Sequence, residues 1–205
     1  MCGEQSSSGR SEHCSRDLET LFRTCFYRNY RTVLRGGAME PLYVPAGTNC
    51  GEHLLQYREY FFASALHETA HWCIAGEERR GKVDFGYWYF EDGRTRIQQR
   101  AFETAEIKPQ ALEWIFSVAA GASFQVSRDN LSVERGVPDP GDHRDAGGGR
   151  ASDTMAFADA VYRQVLSYCV LGLPERAAQF AEALTDFYGT ENPLEDTRYH
   201  RQYLG

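Results

Sequence analysis

The sequence predicts an α+β fold, a helix-rich single domain with a few short strands. Three observations predict it. Apolar residues recur at helical spacing in five long segments. Short aromatic or β-branched runs stand between some of them. The third is bulk: 205 residues, 42% hydrophobic and 25% charged, suit one core that needs no disulfides.

Residues 1–16 are rich in Ser, Gly, Arg and Glu without an apolar stretch, and read as a disordered tail. From Asp17, the residues Leu18, Leu21, Phe22, Cys25 and Phe26 share one helical face, with Ser15 or Asp17 as cap. Gly36 and Gly37 stop any continuation. Residues 41–45 (PLYVP) form a short extended piece, and residues 46–52 a Gly-containing loop. Residues 60–75 read as a strong helix closed by Gly76. Residues 82–90 (KVDFGYWYF) read as a strand, followed by a tight turn at Glu91, Asp92 and Gly93.

Residues 97–120 are largely helical, with Phe102, Leu112, Ile115, Phe116 and Ala119 toward the core. Pro109 interrupts this segment and belongs in a first turn, which biases Lys108 toward extended backbone. Residues 123–127 are a candidate strand. Residues 135–152 hold Gly, Pro, Asp and Arg with almost nothing apolar, and read as a flexible surface loop. Residues 153–170 and 174–188 are two closing helices joined at Gly172. The domain therefore spans 17–189, and residues 190–205 form a polar C-terminal tail containing Tyr199 and Tyr203.

With 22 basic and 29 acidic residues the net charge is −7, which argues against direct nucleic-acid binding. Cys2, Cys14, Cys25, Cys50, Cys73 and Cys169 form no C-x-x-C pair and follow no secretory segment. They read as reduced thiols of a cytoplasmic protein. No run of about eighteen apolar residues exists, so no membrane span is expected.

The chemistry sits in residues 65–72 (ALHETAHW), an H-E-x-x-H motif inside the second helix. At about 100° per residue, His67 and His71 lie roughly 40° apart and one turn along the axis. Two imidazoles so placed can each point a nitrogen at one ion about 2.0–2.1 Å away. Glu68 lies about 60° further round, within reach of an oxygen species on that ion. Without a metal the pair would be ordinary part-buried histidines. Burying them with a glutamate among Ala, Leu, Phe, Trp and Ile is costly unless something satisfies them.

A zincin-like metal helix of this kind needs a third ligand. His13 is in the tail, His143 in the loop and His200 near the end, which leaves His53 as the one further imidazole. Among carboxylates the candidates are Glu103, Glu106 and Glu113, which share a stripe with Gln110 and Ser117. For Glu103 and Glu113 the expected reading is a solvated helix face. Glu106 differs by sitting at the irregularity made by Ile107, Lys108 and Pro109. Spacing alone leaves the choice open. The cluster Arg79, Arg80 and Lys82 reads as solvated surface, and Tyr87, Trp88 and Tyr89 mainly as core. The motif by itself favours a zinc metallopeptidase, with Glu68 activating a metal-bound water.

Several blocks go beyond the motif. Residues 62–76 (FASALHETAHWCIAG), 83–89 (VDFGYWY), 106–112 (EIKPQAL), 129–131 (DNL) and 173–176 (LPER) resemble the bacterial elongation factor P hydroxylase family, in the family's order. The resemblance covers roughly residues 17–189. It implies an oxidoreductase, a monooxygenase that hydroxylates a lysine of translation elongation factor P, a lysine usually β-lysylated beforehand. It also implies a two-histidine, one-carboxylate Fe(II) centre, with dioxygen as co-substrate, in a fold unlike other protein hydroxylases.

Carried over by position, it makes His67, His71 and Glu106 the metal ligands and gives Glu68 proton-transfer work beside them. Tyr87, Trp88 and Tyr89 become candidates for the channel wall, and Asp84 or Glu103 for pairing with substrate amines. The tail, the 135–152 loop and the end after Tyr188 depart from the family pattern, which bears on partner docking rather than chemistry. The alternatives are an HExxH zinc metallopeptidase and a non-catalytic domain that binds a translation factor.

Overall fold

In the computed structural model, residues 13–47, 51–86, 96–127 and 149–201 are described. The first helix, α1 (Ser15–Tyr30), begins two residues ahead of Asp17 and buries Leu18, Phe22 and Phe26 completely. Arg31 ends it in the left-handed region, at φ 46°, and donates its N–H to the Tyr27 carbonyl. Of the 1–16 tail, residues 1–12 lie outside the described residues. His13 Nε2 sits 2.9 Å from the Ala120 carbonyl, and Ser15 and Arg16 are already helical.

Three strands follow: β1 (Thr32–Ala38), β2 (Leu42–Val44) and β3 (His53–Arg58). β3 lies in the middle, parallel to β1 and antiparallel to β2. The glycines expected to stop a helix sit instead inside β1, where the register with β3 slips between Arg35 and Ala38. Gly36 donates its N–H to Glu19 Oε1 at 2.8 Å, and Tyr57 Oη donates to the same oxygen at 2.9 Å. A Cβ on Gly36 would stand 2.6 Å from the Tyr57 ring and 2.7 Å from the Glu59 carbonyl. Gly37 has φ +92°, which suits glycine.

The metal-motif helix is α2 (Phe62–Ile74), followed by the single turn α3 (Glu77–Arg80). Residues Val83–Gly86 form a 3-10 turn and not the expected strand. Asp84 (φ 47°) and Phe85 (φ 57°) are left-handed, which extended backbone cannot accommodate. Asp84 Oδ1 accepts the Tyr43 N–H at 2.8 Å, and Phe85 stacks on the Tyr43 ring at 4.3 Å. The rest of that expected strand, with Tyr87, Trp88 and Tyr89, lies outside the described residues.

α4 (Arg96–Ala120) runs through Pro109 as one helix, where the sequence predicts an interruption. The ring removes the hydrogen bond to the Ala105 carbonyl and crowds that carbonyl, yet the helix continues past it. Residues 123–127 form no strand. α5 (Gly149–Leu171) takes in the end of the expected 135–152 loop, whose residues up to 148 lie outside the described set. α6 (Glu175–Tyr188) ends at Gly189, in the left-handed region. The segment after it packs down, although the expected domain ends at 189. Tyr199 is buried, donates its hydroxyl to the Pro193 carbonyl and meets the Trp114 ring edge-on at 5.2 Å.

Helix α2 stands at the centre of this α+β domain. One side packs on α1 and α6, where Phe22, Phe26 and Tyr30 surround Trp72 with ring centroids 5.0, 4.7 and 5.2 Å away. The other side packs on α4. At its C-terminal end, where helix carbonyls lack backbone partners, Arg176 Nη2 donates to Trp72, Cys73 and Ala75. Among the described residues no helix is long and apolar enough to cross a membrane.

Candidate metal centre

The side of α2 facing α4 carries His67 and His71. Along α4 the residues Glu106, Gln110, Glu113 and Ser117 recur at intervals of four, three and four, one stripe of the helix. All four are buried. The expectation of a solvated face is therefore wrong for Glu113, which is 6% exposed. With Trp114 and Val118, the apolar residues Ala111, Leu112, Ile115, Phe116 and Ala119 take up an arc of about 200° of this helix. A polar stripe left so narrow meets another helix and not water. That width was the signal available in the sequence.

Two imidazoles and one carboxylate converge. The Nε2 atoms of His67 and His71 lie 3.1 Å apart. Glu106 Oε2 is 3.4 Å from the first and Glu106 Oε1 is 3.3 Å from the second. Among the described residues these three form a group with ligand atoms all within 4.8 Å of one another. His71 and Glu106 are 7% and 4% exposed, while the His67 side chain keeps 20%. The group thus has one wet side.

The spacing fits a shared cation. Ligand atoms about 2.1 Å from one ion and roughly 90–110° apart stand about 3.0–3.4 Å from each other. Glu106 Oε2 is buried and has no hydrogen-bond partner. Such an orphaned carboxylate oxygen is costly unless a cation meets it. The charge balance points the same way: Glu68, Glu106 and Glu113 gather around two imidazoles, and all five interact electrostatically.

Burial disfavours a charged His67 ring, but its contacts with Glu106 and Glu113 outweigh that and raise its pKa well above the usual value. Burial would push the Glu106 carboxyl up, yet the charges and contacts of His71 and His67 hold it far below the usual carboxylate range. Glu68 goes the other way. Desolvation raises its carboxyl despite the pull of the two histidines. A carboxyl raised by burial beside a group of ligands is the kind of residue that takes part in proton transfer.

The other sequence candidates do not join the cluster. His53 opens β3, where its Nδ1 accepts the Ala46 N–H at 3.1 Å and faces the Tyr43 hydroxyl at 3.1 Å. Asp84 is engaged by Tyr43, and Glu103 lies outside the convergent group. Of the basic cluster, Lys82 pairs with Glu78 at the surface. Arg80 does not fit the solvated reading, since its Nη1 donates to the Ala75 carbonyl at 2.6 Å. Glu113, weighed as a ligand in the sequence and then assigned to a solvated face, instead backs His67, whose Nδ1 lies 2.8 Å from its Oε2.

A family model described as elongation factor P hydroxylase matches residues 21–140 and 142–199. The elongation factor P lysine hydroxylase of Haemophilus influenzae is 43% identical over 183 residues, 89% of this chain and 94% of that protein. Both matches span α2 and α4, and with them every residue of the cluster.

Proposed function

The chain belongs to the elongation factor P hydroxylase family, and we propose that it hydroxylates a lysine side chain of elongation factor P at Fe(II) held by His67, His71 and Glu106. The observation that supports this reading is the convergence of two Nε2 atoms on a buried carboxylate with an orphaned oxygen. Two histidines and one carboxylate leave open positions on a metal and are the donor set of oxygen-using iron enzymes. The zinc metallopeptidase alternative has no support in the family or in the relative.

When bound, Fe(II) in such a set supplies dioxygen chemistry strong enough to oxidise an unactivated C–H bond. The chain's own residues do the rest. His67 and His71 present Nε2 from consecutive turns of one rigid helix, so both ligands are placed before any metal arrives. The Glu106 and Glu113 contacts that raise the His67 pKa would equally favour a cation held at its Nε2. Glu106, already deprotonated, needs no further change.

Glu68, next to His67 in α2 and electrostatically coupled to the same group, serves as the proton carrier. The wet side, at His67, is where a long lysine side chain enters. The substrate is the lysine in its β-lysylated form. The site is part of a post-translational modification enzyme of the translation machinery in the cytoplasm.

The test is a mass measurement. The chain is loaded anaerobically with Fe(II), mixed with lysylated elongation factor P and a chemical reductant that supplies the two electrons needed to release the second oxygen atom as water, and exposed to air. A gain of one oxygen atom on the factor is expected, and none with the His71→Ala variant. Absence of that gain with iron-loaded wild-type protein, together with peptide cleavage by the zinc form, would overturn the reading.

A further inference from the structure

Resting on the reading that His67, His71 and Glu106 hold the metal, we propose that Glu113 is a positioning residue that sets the donor strength and direction of His67. Glu113 sits two turns beyond Glu106 on the same stripe of α4, so one rigid helix delivers both a ligand and the residue that orients another ligand. Its Oε2 lies 2.8 Å from His67 Nδ1, on the far side of the ring from the convergent nitrogens. Nδ1–H donates to Glu113, which leaves the Nε2 lone pair for the ion. A neutral imidazole that lacked this acceptor would populate both tautomers, one of them with Nε2 blocked by a proton.

The geometry rules out a casual surface pair. Glu113 is 6% exposed and lies under the cluster, in a helix whose neighbouring residues are core. A buried carboxylate there carries a desolvation cost that only a close charged or hydrogen-bonded partner offsets. His67 is the partner the geometry gives its side chain. His67 is also the most exposed of the three ligands, the one with most freedom to turn out of register. A carboxylate behind a ligating imidazole raises its basicity and fixes the ring plane.

Two variants separate the roles. Glu113→Gln keeps an oxygen that accepts Nδ1–H but removes the charge, while Glu113→Leu removes both without opening a large void. Co(II) titration of the metal-free chain is followed by visible absorption, with circular dichroism and thermal unfolding as controls for folding. The expected result is folded metal-free protein in both cases. Co(II) affinity falls about ten- to a hundredfold in Glu113→Leu, with a smaller loss in Glu113→Gln.

The Co(II) absorption bands shift in both variants, because the donor strength of one ligand has changed. Wild-type affinity and wild-type bands in a folded Glu113→Leu protein would overturn the assignment of Glu113 while leaving the metal centre standing. Failure of the wild-type chain itself to bind Co(II) would overturn the metal reading, and this inference with it.

Discussion

Removing the Arg176 guanidinium should loosen the end of α2 that carries His71. Arg176 Nη2 donates to the carbonyls of Trp72, Cys73 and Ala75 at 3.2, 2.9 and 2.6 Å. Ala75 keeps a second donor in Arg80 Nη1, so Arg176→Ala strips a side-chain partner from Trp72 and Cys73 only. One nitrogen spread over three acceptors is worth less than separate bonds, so each lost carbonyl contact counts at about 1 kcal/mol. The guanidinium also lies 4.9 Å from the Trp72 ring centroid and 5.4 Å from that of Tyr30. Cation–π attraction there adds roughly 1 kcal/mol.

The loss is therefore about 3 kcal/mol, which lowers the thermal midpoint of a domain this size by roughly 6–12 °C. Melting followed by circular dichroism reads it directly. Arg176→Lys restores the charge but not the planar fork, so it should recover less than half of the shift. Co(II) affinity should fall with the midpoint in Arg176→Ala, because the loosened turn is the one that presents His71. A midpoint within about 2 °C of wild type would refute the view that Arg176 clamps the helix end.

The remaining predictions concern the site and the sheet. Glu68→Gln should leave Co(II) affinity near wild type while slowing lysine hydroxylation by about a hundredfold or more, read by mass spectrometry of the factor. Gly36→Ala pushes a methyl group against the Tyr57 ring and the Glu59 carbonyl, and should cost about 2 kcal/mol in urea unfolding. His53 is held below its usual pKa by burial and then by Arg80. Its contribution to stability is therefore present above its unfolded pKa, about 6.5, and is lost as pH falls through the folded value. Urea midpoints measured downward from pH 7 should decline less steeply in His53→Gln than in wild type.

The helices were legible because apolar periodicity survives in the bare sequence: Leu18, Phe22 and Phe26 mark α1 as plainly as they bury it. The H-E-x-x-H helix was legible because its histidines repeat at one turn. Strands β1 and β3 were not. A Gly pair within Thr32–Ala38 carries the signal of a stop, and only pairing with β3 turns it into a bulge. The Val83–Gly86 turn read as a strand since β-branched and aromatic residues there favour extension. What bends it is Asp84 bonding to a strand forty residues away in sequence.

Within the site, periodicity told which residues of α4 share a stripe, but polarity alone, taken without the narrowness of that stripe, pointed it at water. Hence Glu113 read as solvated, although it lies against His67. Spacing could not choose Glu106 over its neighbours either. That choice came from family resemblance; the Glu106 oxygens lie 3.4 and 3.3 Å from the two imidazoles.

His71 and Trp72 are adjacent, yet one enters the cluster and the other the aromatic core, roughly 100° apart around α2. A helix Cα lies about 2.3 Å from the axis, and an imidazole Nε2 roughly three times farther out. A turn of about 10° about that axis therefore carries Nε2 sideways by roughly 1 Å, more than the ~0.5 Å a preorganised site tolerates. Phe22, Phe26 and Tyr30 act on Trp72 like a keyway on a key, holding the azimuth of the shaft. Conservative changes among those buried rings should then detune the cluster by more than their cost in stability alone would suggest.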